Sequence, residues 1–132
     1  MTHSEEALNR IEREYGDFHD ALIIGFNYEY NLETYSSNIH VKLSAYNLDG
    51  IHHDIIDLEF VNVKSYQFNN YVGMIFTIKA DTTTDSTIVI DFEPLIASSN
   101  GQGNLKLDFN PDSACIIESS EIKYKRIERI KK

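Results

Sequence analysis

Between Phe18 and Tyr30 the even positions carry Phe18, Leu22, Ile24, Phe26, Tyr28 and Tyr30, whereas the odd ones carry His19, Ala21, Ile23, Gly25, Asn27 and Glu29. Successive strand side chains point to opposite faces, so this stretch predicts a long half-buried β-strand with its aromatic face inward. Six further stretches repeat the alternation more briefly. Only residues near the N-terminus read as a helix. Ser4 is placed to cap it, Glu5 and Glu6 meet the positive end of its dipole, Leu8, Ile11 and Tyr15 follow at helical spacing, and Gly16 suits a terminator.

Turn signals order the remaining strands. Asp49-Gly50 predicts a two-residue type I′ hairpin, in which paired positions sum to 99, so that Leu43 meets Ile56, Val41 meets Leu58 and Ile39 meets Phe60. Asn69-Asn70 predicts a second reversal with pairs summing to 139, setting Val61 against Ile78 and Val63 against Phe76. The two registers turn opposite parities of the middle strand inward, which demands a bulge or bend near Phe60 and Val61. The strand from Tyr71 to Ala80 is expected to bury Val72, Met74, Phe76 and Ile78, and the next, Thr87 to Glu93, to bury Ile88, Ile90 and Phe92. Pro94 to Gly103 reads as the longest connection, a strand covers Asn104 to Phe109, and Asn110-Pro111-Asp112-Ser113 is a type I turn. A last strand begins at Ala114, with Ile116 and Ile117 competing for the core.

The expected fold is mainly β: about seven antiparallel strands as a sandwich or a rolled, barrel-like sheet, with one short helix. The chain reads as one domain over residues 1–132, with the helix at about 4–15, a β body at about 18–127 and a basic end at 123–132. At 132 residues, about two thirds of the unfolded surface can be buried. No leader-like or membrane-spanning apolar segment is legible, which predicts a cytoplasmic protein. Cys115 stands alone, so neither an internal disulfide nor a cysteine cage for zinc can form, and it reads as a small apolar strand residue.

The net charge of −9 is uneven. The last ten residues hold six basic side chains and one acid, for +5, and the 122 before them hold six basic and 20 acidic ones, for −14. A body of that charge repels nucleic acid and anionic membranes and steers toward a basic partner. The basic end reads as a solvated strand end or a tether to the acidic body.

Chemistry-bearing residues are few. His19-Asp20 and His52-His53-Asp54, with His40 on a neighbouring strand, are the residue types of a metal site or an oriented general base. Neighbouring strand residues face opposite ways, so one His-Asp dipeptide cannot place both groups on one ion, and His52 and His53 read as polar decoration of a hairpin end. Asp20 falls on inward parity, which predicts a structural anchor for backbone donors. Gly101-Gln102-Gly103 lacks the lysine of a phosphate loop, and Gly-x-Ser-x-Gly is absent. No catalytic residue, metal or cofactor is expected. The eight tyrosines suit strands, and Tyr46, Tyr66 and Tyr71, which flank turns, are candidates for a partner surface.

Phe18-His19-Asp20-Ala21 before a long strand, Leu58-Glu59-Phe60-Val61-Asn62-Val63 in mid-chain and Ala114-Cys115-Ile116-Ile117 near the end together resemble small bacterial β-rich proteins. Some of these are similar to the immunity proteins of bacterial polymorphic toxin systems, the Imm50-like group. The resemblance implies a binding role and carries over no catalytic residue. Charge and resemblance together predict a non-enzymatic module that covers a basic toxin. One rival is a small-molecule-binding or enzymatic β-barrel, with Phe26, Tyr28 and Tyr30 lining a cavity polarised by His19 or Asp20. The other is a structural homo-oligomer subunit that pairs through an edge strand.

Overall fold

A computed structural model describes residues 2–69, 74, 75, 77–83, 85–99 and 105–131. Among these residues one helix, α1 (His3–Tyr15), is followed by eight strands: β1 (Leu22–Asn31), β2 (Ser36–Tyr46), β3 (His52–Phe68), β4 (Lys79–Thr82), β5 (Ile88–Asp91), β6 (Leu95–Ser99), β7 (Leu105–Asp108) and β8 (Cys115–Lys131). Six of them form one antiparallel sheet in the order β1-β2-β3-β8-β5-β4, and β6 and β7 form a separate two-stranded sheet. The fold is therefore mainly β and antiparallel with one short helix, and its main sheet is open, with β1 and β4 at its edges. No helix among the described residues is long and apolar enough to cross a membrane.

Helix α1 is capped by Thr2 rather than Ser4: the Thr2 hydroxyl accepts the Glu5 N–H at 3.1 Å. Ser4 has a different task. Its side chain is buried and its Oγ accepts the Ile122 N–H at 3.0 Å, pinning the helix to β8. Ser4→Ala is expected to cost about 1–3 kcal/mol in a denaturant melt, because it leaves a buried N–H without a partner. Ala7, Ile11 and Tyr15 form the buried stripe, and Gly16, at φ 66, ends the helix.

The hairpin of β2 and β3 has the expected register, with Leu43 against Ile56, Val41 against Leu58 and Ile39 against Phe60. All six are 0% exposed. The turn differs in type. Only Gly50 takes positive φ (74°), the Gly50 N–H meets the Asn47 carbonyl at 3.2 Å, and Asp49 accepts the Ile51 and His52 N–H groups, so the loop is wider than a type I′ turn.

Other expectations give way to tertiary pairing. The strand expected from Phe18 begins at Leu22, since Phe18 (φ 60) and Asp20 (φ 66) form a tight turn that buries the Phe18 ring against Tyr15. A bulge between Ile23 and Gly25 then exchanges the faces. Ile23 lies opposite buried Leu43, whereas Leu22 and Ile24 are exposed, and Phe26 recovers the inner face opposite Val41. The hairpin expected between the residues flanking Asn69-Asn70 is not the one formed. Val61 is flanked by Asn38 and Glu121, so Ile78 has no place beside it. Near β4, Ile75 and Thr77 are buried and Met74 is exposed, against the parity expected, whereas Ile78 packs partly buried against the core as expected; Val72 and Phe76 lie outside the described residues. The expected long connection after Pro94 contains β6.

The decisive pairing is β3 with β8 along 17 residues of each. The expected bend is present at Asn62 (φ 57) and at a register shift between Val63 and Ser65, although the second hairpin that suggested it is not. On β8, Ile117 takes the core and Ile116 turns outward, and beyond Ser119 the inward parity passes to Ile122. Ring contacts report the result. Phe26 lies level with Leu58 across two strands, and Phe68 lies ten residues, about 33 Å, further along β3. Yet the Phe26 and Phe68 rings stack at 4.1 Å. The sheet must fold over at Asn62, so that β1 and β2 face the far half of β3, with the core between them.

Candidate functional site

The residues singled out in the sequence separate into three places. His19 and Asp20 sit in the turn before β1 with side chains 55% and 53% exposed, 3.6 Å apart. Asp20 is thus not an inward carboxylate. Its backbone N–H donates to the Ile75 carbonyl, and the carboxylate that anchors this turn is Asp17, which accepts from the His19 N–H and the Thr77 hydroxyl. Positive φ at Phe18 and Asp20 breaks the strand parity that suggested otherwise.

Asp20 shares a shallow hollow of about 360 Å³ with Leu22, Ser44, Tyr46, His53 and Met74. Ser44 Oγ is hydrogen-bonded to His53 Nε2, and the Tyr46 ring meets His53 edge-on at 4.6 Å. Among the described residues no carboxylate lies within hydrogen-bonding distance of His53, so no acid partner orients this imidazole as a general base. His52 and His40, by contrast, are bound to neighbouring acids. His52 Nδ1 pairs with Asp49 at 2.6 Å and His40 Nδ1 with Asp57 at 2.8 Å. Burial works to lower His40, but the hydrogen bond to Asp57 and the charges of Asp57, Glu59 and Glu29 hold it above the ordinary imidazole range. No three metal-ligating side chains converge among the described residues.

Tyr28 and Tyr30 stand at the opposite end of β1 from Asp20, about 30 Å away along the strand. They do not share a cavity with it. Instead Tyr28, assigned to a ligand site in the sequence, meets Tyr66, assigned to a partner surface, at 5.3 Å between ring centroids. Phe26 stacks on Phe68 and also meets Tyr66 at 6.0 Å, and Tyr28, Tyr30 and Tyr66 remain 43%, 51% and 48% exposed. Leu32 and Tyr35, 77% and 80% exposed, extend the apolar area at the β1–β2 turn. Tyr46 belongs to the other end of the sheet, and Tyr71 lies outside the described residues.

A buried polar centre joins residues that no sequence pattern links. Asp54 is 0% exposed and receives Arg129 through both oxygens, Nε and a terminal nitrogen each at 2.9 Å. The Tyr15 hydroxyl donates to the same carboxylate at 2.7 Å, so the 2.7 Å contact between the two phenols must carry the Tyr124 proton toward Tyr15. Arg10 lies over the Tyr124 ring, and Glu14 bonds Arg10 at 2.6 Å. The Arg129 hydrogen bonds, acting against burial and aided by Tyr15 and Asn47, pull Asp54 down to about 2. Burial and the two hydrogen bonds push the Tyr15 phenol far above its usual range. These groups satisfy one another and lock α1, β3 and β8 together, which is a structural role. The inward parity of Asp54, two residues before buried Ile56, was the signal available in the sequence.

A second buried carboxylate, Asp91, accepts the Ser113 hydroxyl and the Asn110 and Glu93 N–H groups and ties down the expected turn at Asn110–Ser113. Cys115 is buried in the core as expected, and burial with the Asp91 charge pushes its thiol up to about 12. Comparison with protein families, curated proteins and solved structures finds no match.

Proposed function

We propose that this chain is a non-enzymatic protein-interaction module of the immunity type, which covers a basic toxin partner in the cytoplasm with the tyrosine face of Tyr28, Tyr30 and Tyr66. The observation that carries this reading is the contact of the half-exposed Tyr28 and Tyr66 rings next to the Phe26–Phe68 stack, with exposed Tyr30 two residues further along β1. Rigid aromatic side chains over a packed base are what binding hot spots use, because little conformational freedom is lost when they are covered. The charge of −14 over residues 1–122 favours a basic partner by steering its approach, and disfavours nucleic acid and anionic membranes.

The test is co-expression with the product of the adjoining gene. Wild-type chain should restore growth and bind with an association rate that falls as salt rises. Tyr66→Ala should weaken binding at least tenfold with its melting temperature held within a few degrees. Full protection by Tyr66→Ala, or a neighbour that neither binds nor harms the host, would overturn the reading.

A further inference from the structure

We infer that β1 is also a self-association edge, where a second copy of this chain adds its own β1 antiparallel and joins the two main sheets. Among the described residues β1 has a strand neighbour only in β2, apart from one bridge between Leu22 and Met74 at its start. Natural edge strands are blunted by lysine, proline, bulges or short length. This one is ten residues long, Leu-Ile-Ile-Gly-Phe-Asn-Tyr-Glu-Tyr-Asn, with one charge and no proline, and its bulge is confined to Ile23–Gly25.

A two-fold pair of antiparallel strands must match faces, so paired positions sum to an even number. A sum of 58 sets Glu29 against itself, which like charge disfavours. A sum of 54 drives the bulge at Ile23–Gly25 into the ladder. A sum of 56 satisfies every row between the bulge and the turn. Tyr28 meets Tyr28 of the second copy, Phe26 meets Tyr30, and Asn27 meets Glu29, to which it already donates at 3.0 Å within its own strand. The edge is thus complementary to a second copy of itself, with aromatic rows on one face and amide-to-carboxylate rows on the other. The tyrosine faces of two copies would then run on as one band.

Light scattering on the isolated chain tests this without any partner, so its failure is separable from failure to bind a toxin. The expected mass rises with concentration from 15.2 kDa toward twice that value. Tyr28→Cys should form an intermolecular disulfide on mild oxidation, and Glu29→Cys should not, since Glu29 faces Asn27; buried Cys115 gives no background in the parent chain. Tyr28→Lys should weaken association at least tenfold, with circular dichroism confirming the fold. A monomer at every concentration overturns the proposal, and so does a dimer that Tyr28→Lys leaves intact or that Glu29→Cys cross-links as well as Tyr28→Cys.

Discussion

A chain that stops at Ile122 will fail to fold, despite losing only ten residues that look like a solvated basic tail. Lys123 to Lys131 are the second half of β8, laid against β3 from Glu59 back to His52. Their removal takes the Tyr124 ring from beneath Arg10, opens the inner edge of β3, and leaves the Asp54 carboxylate buried without Arg129. An uncompensated buried charge alone costs about 3–5 kcal/mol, a large part of the roughly 5–15 kcal/mol that holds a domain together. Far-ultraviolet circular dichroism and amide dispersion should show an unfolded chain. A cooperative melt within a few degrees of the full-length protein would refute this account of β8.

Asp54→Ala is the second large effect, expected at about 3 kcal/mol in urea melts at neutral pH, because the buried Tyr15 hydroxyl loses its acceptor and the Arg129 fork its partner. Its pH signature separates it from ordinary core damage. Asp54 in the folded chain titrates at about 2, below the ordinary aspartate range near 3.9. A depressed folded-state value stabilises the fold above the unfolded value, and that contribution disappears as pH falls from about 4 through about 2. Wild type should therefore lose stability over that window faster than Asp54→Ala does. Parallel acid limbs for the two proteins would rule out an ionised, paired Asp54.

The two variants bear on different levels of the sequence. Asp54 sits two residues before Ile56 in a run whose even positions, Ile56, Leu58 and Phe60, are all buried, so its inward direction was readable. Its partner was not, since Arg129 is 75 residues away and meets it only because β8 returns beside β3. Asp20 shows the converse. Its parity pointed inward, and a turn of positive φ at Phe18 and Asp20, with no glycine to announce it, placed the carboxylate in solvent. The tyrosine face follows the same logic: Tyr28 and Tyr66 belonged to different candidate groups until the fold at Asn62 set them 5.3 Å apart.

Alternation and turn residues, which act over a few bonds, were sufficient to specify the helix, the β2–β3 register and the all-β character of this chain. Strand order, the bulges at Ile23–Gly25 and Val63–Ser65, and the company kept by Asp54 and Tyr28 depended on which distant segments could bury one another's apolar faces together. Short-range preferences are nearly indifferent among such pairings, so only the assembled three-dimensional core selects one.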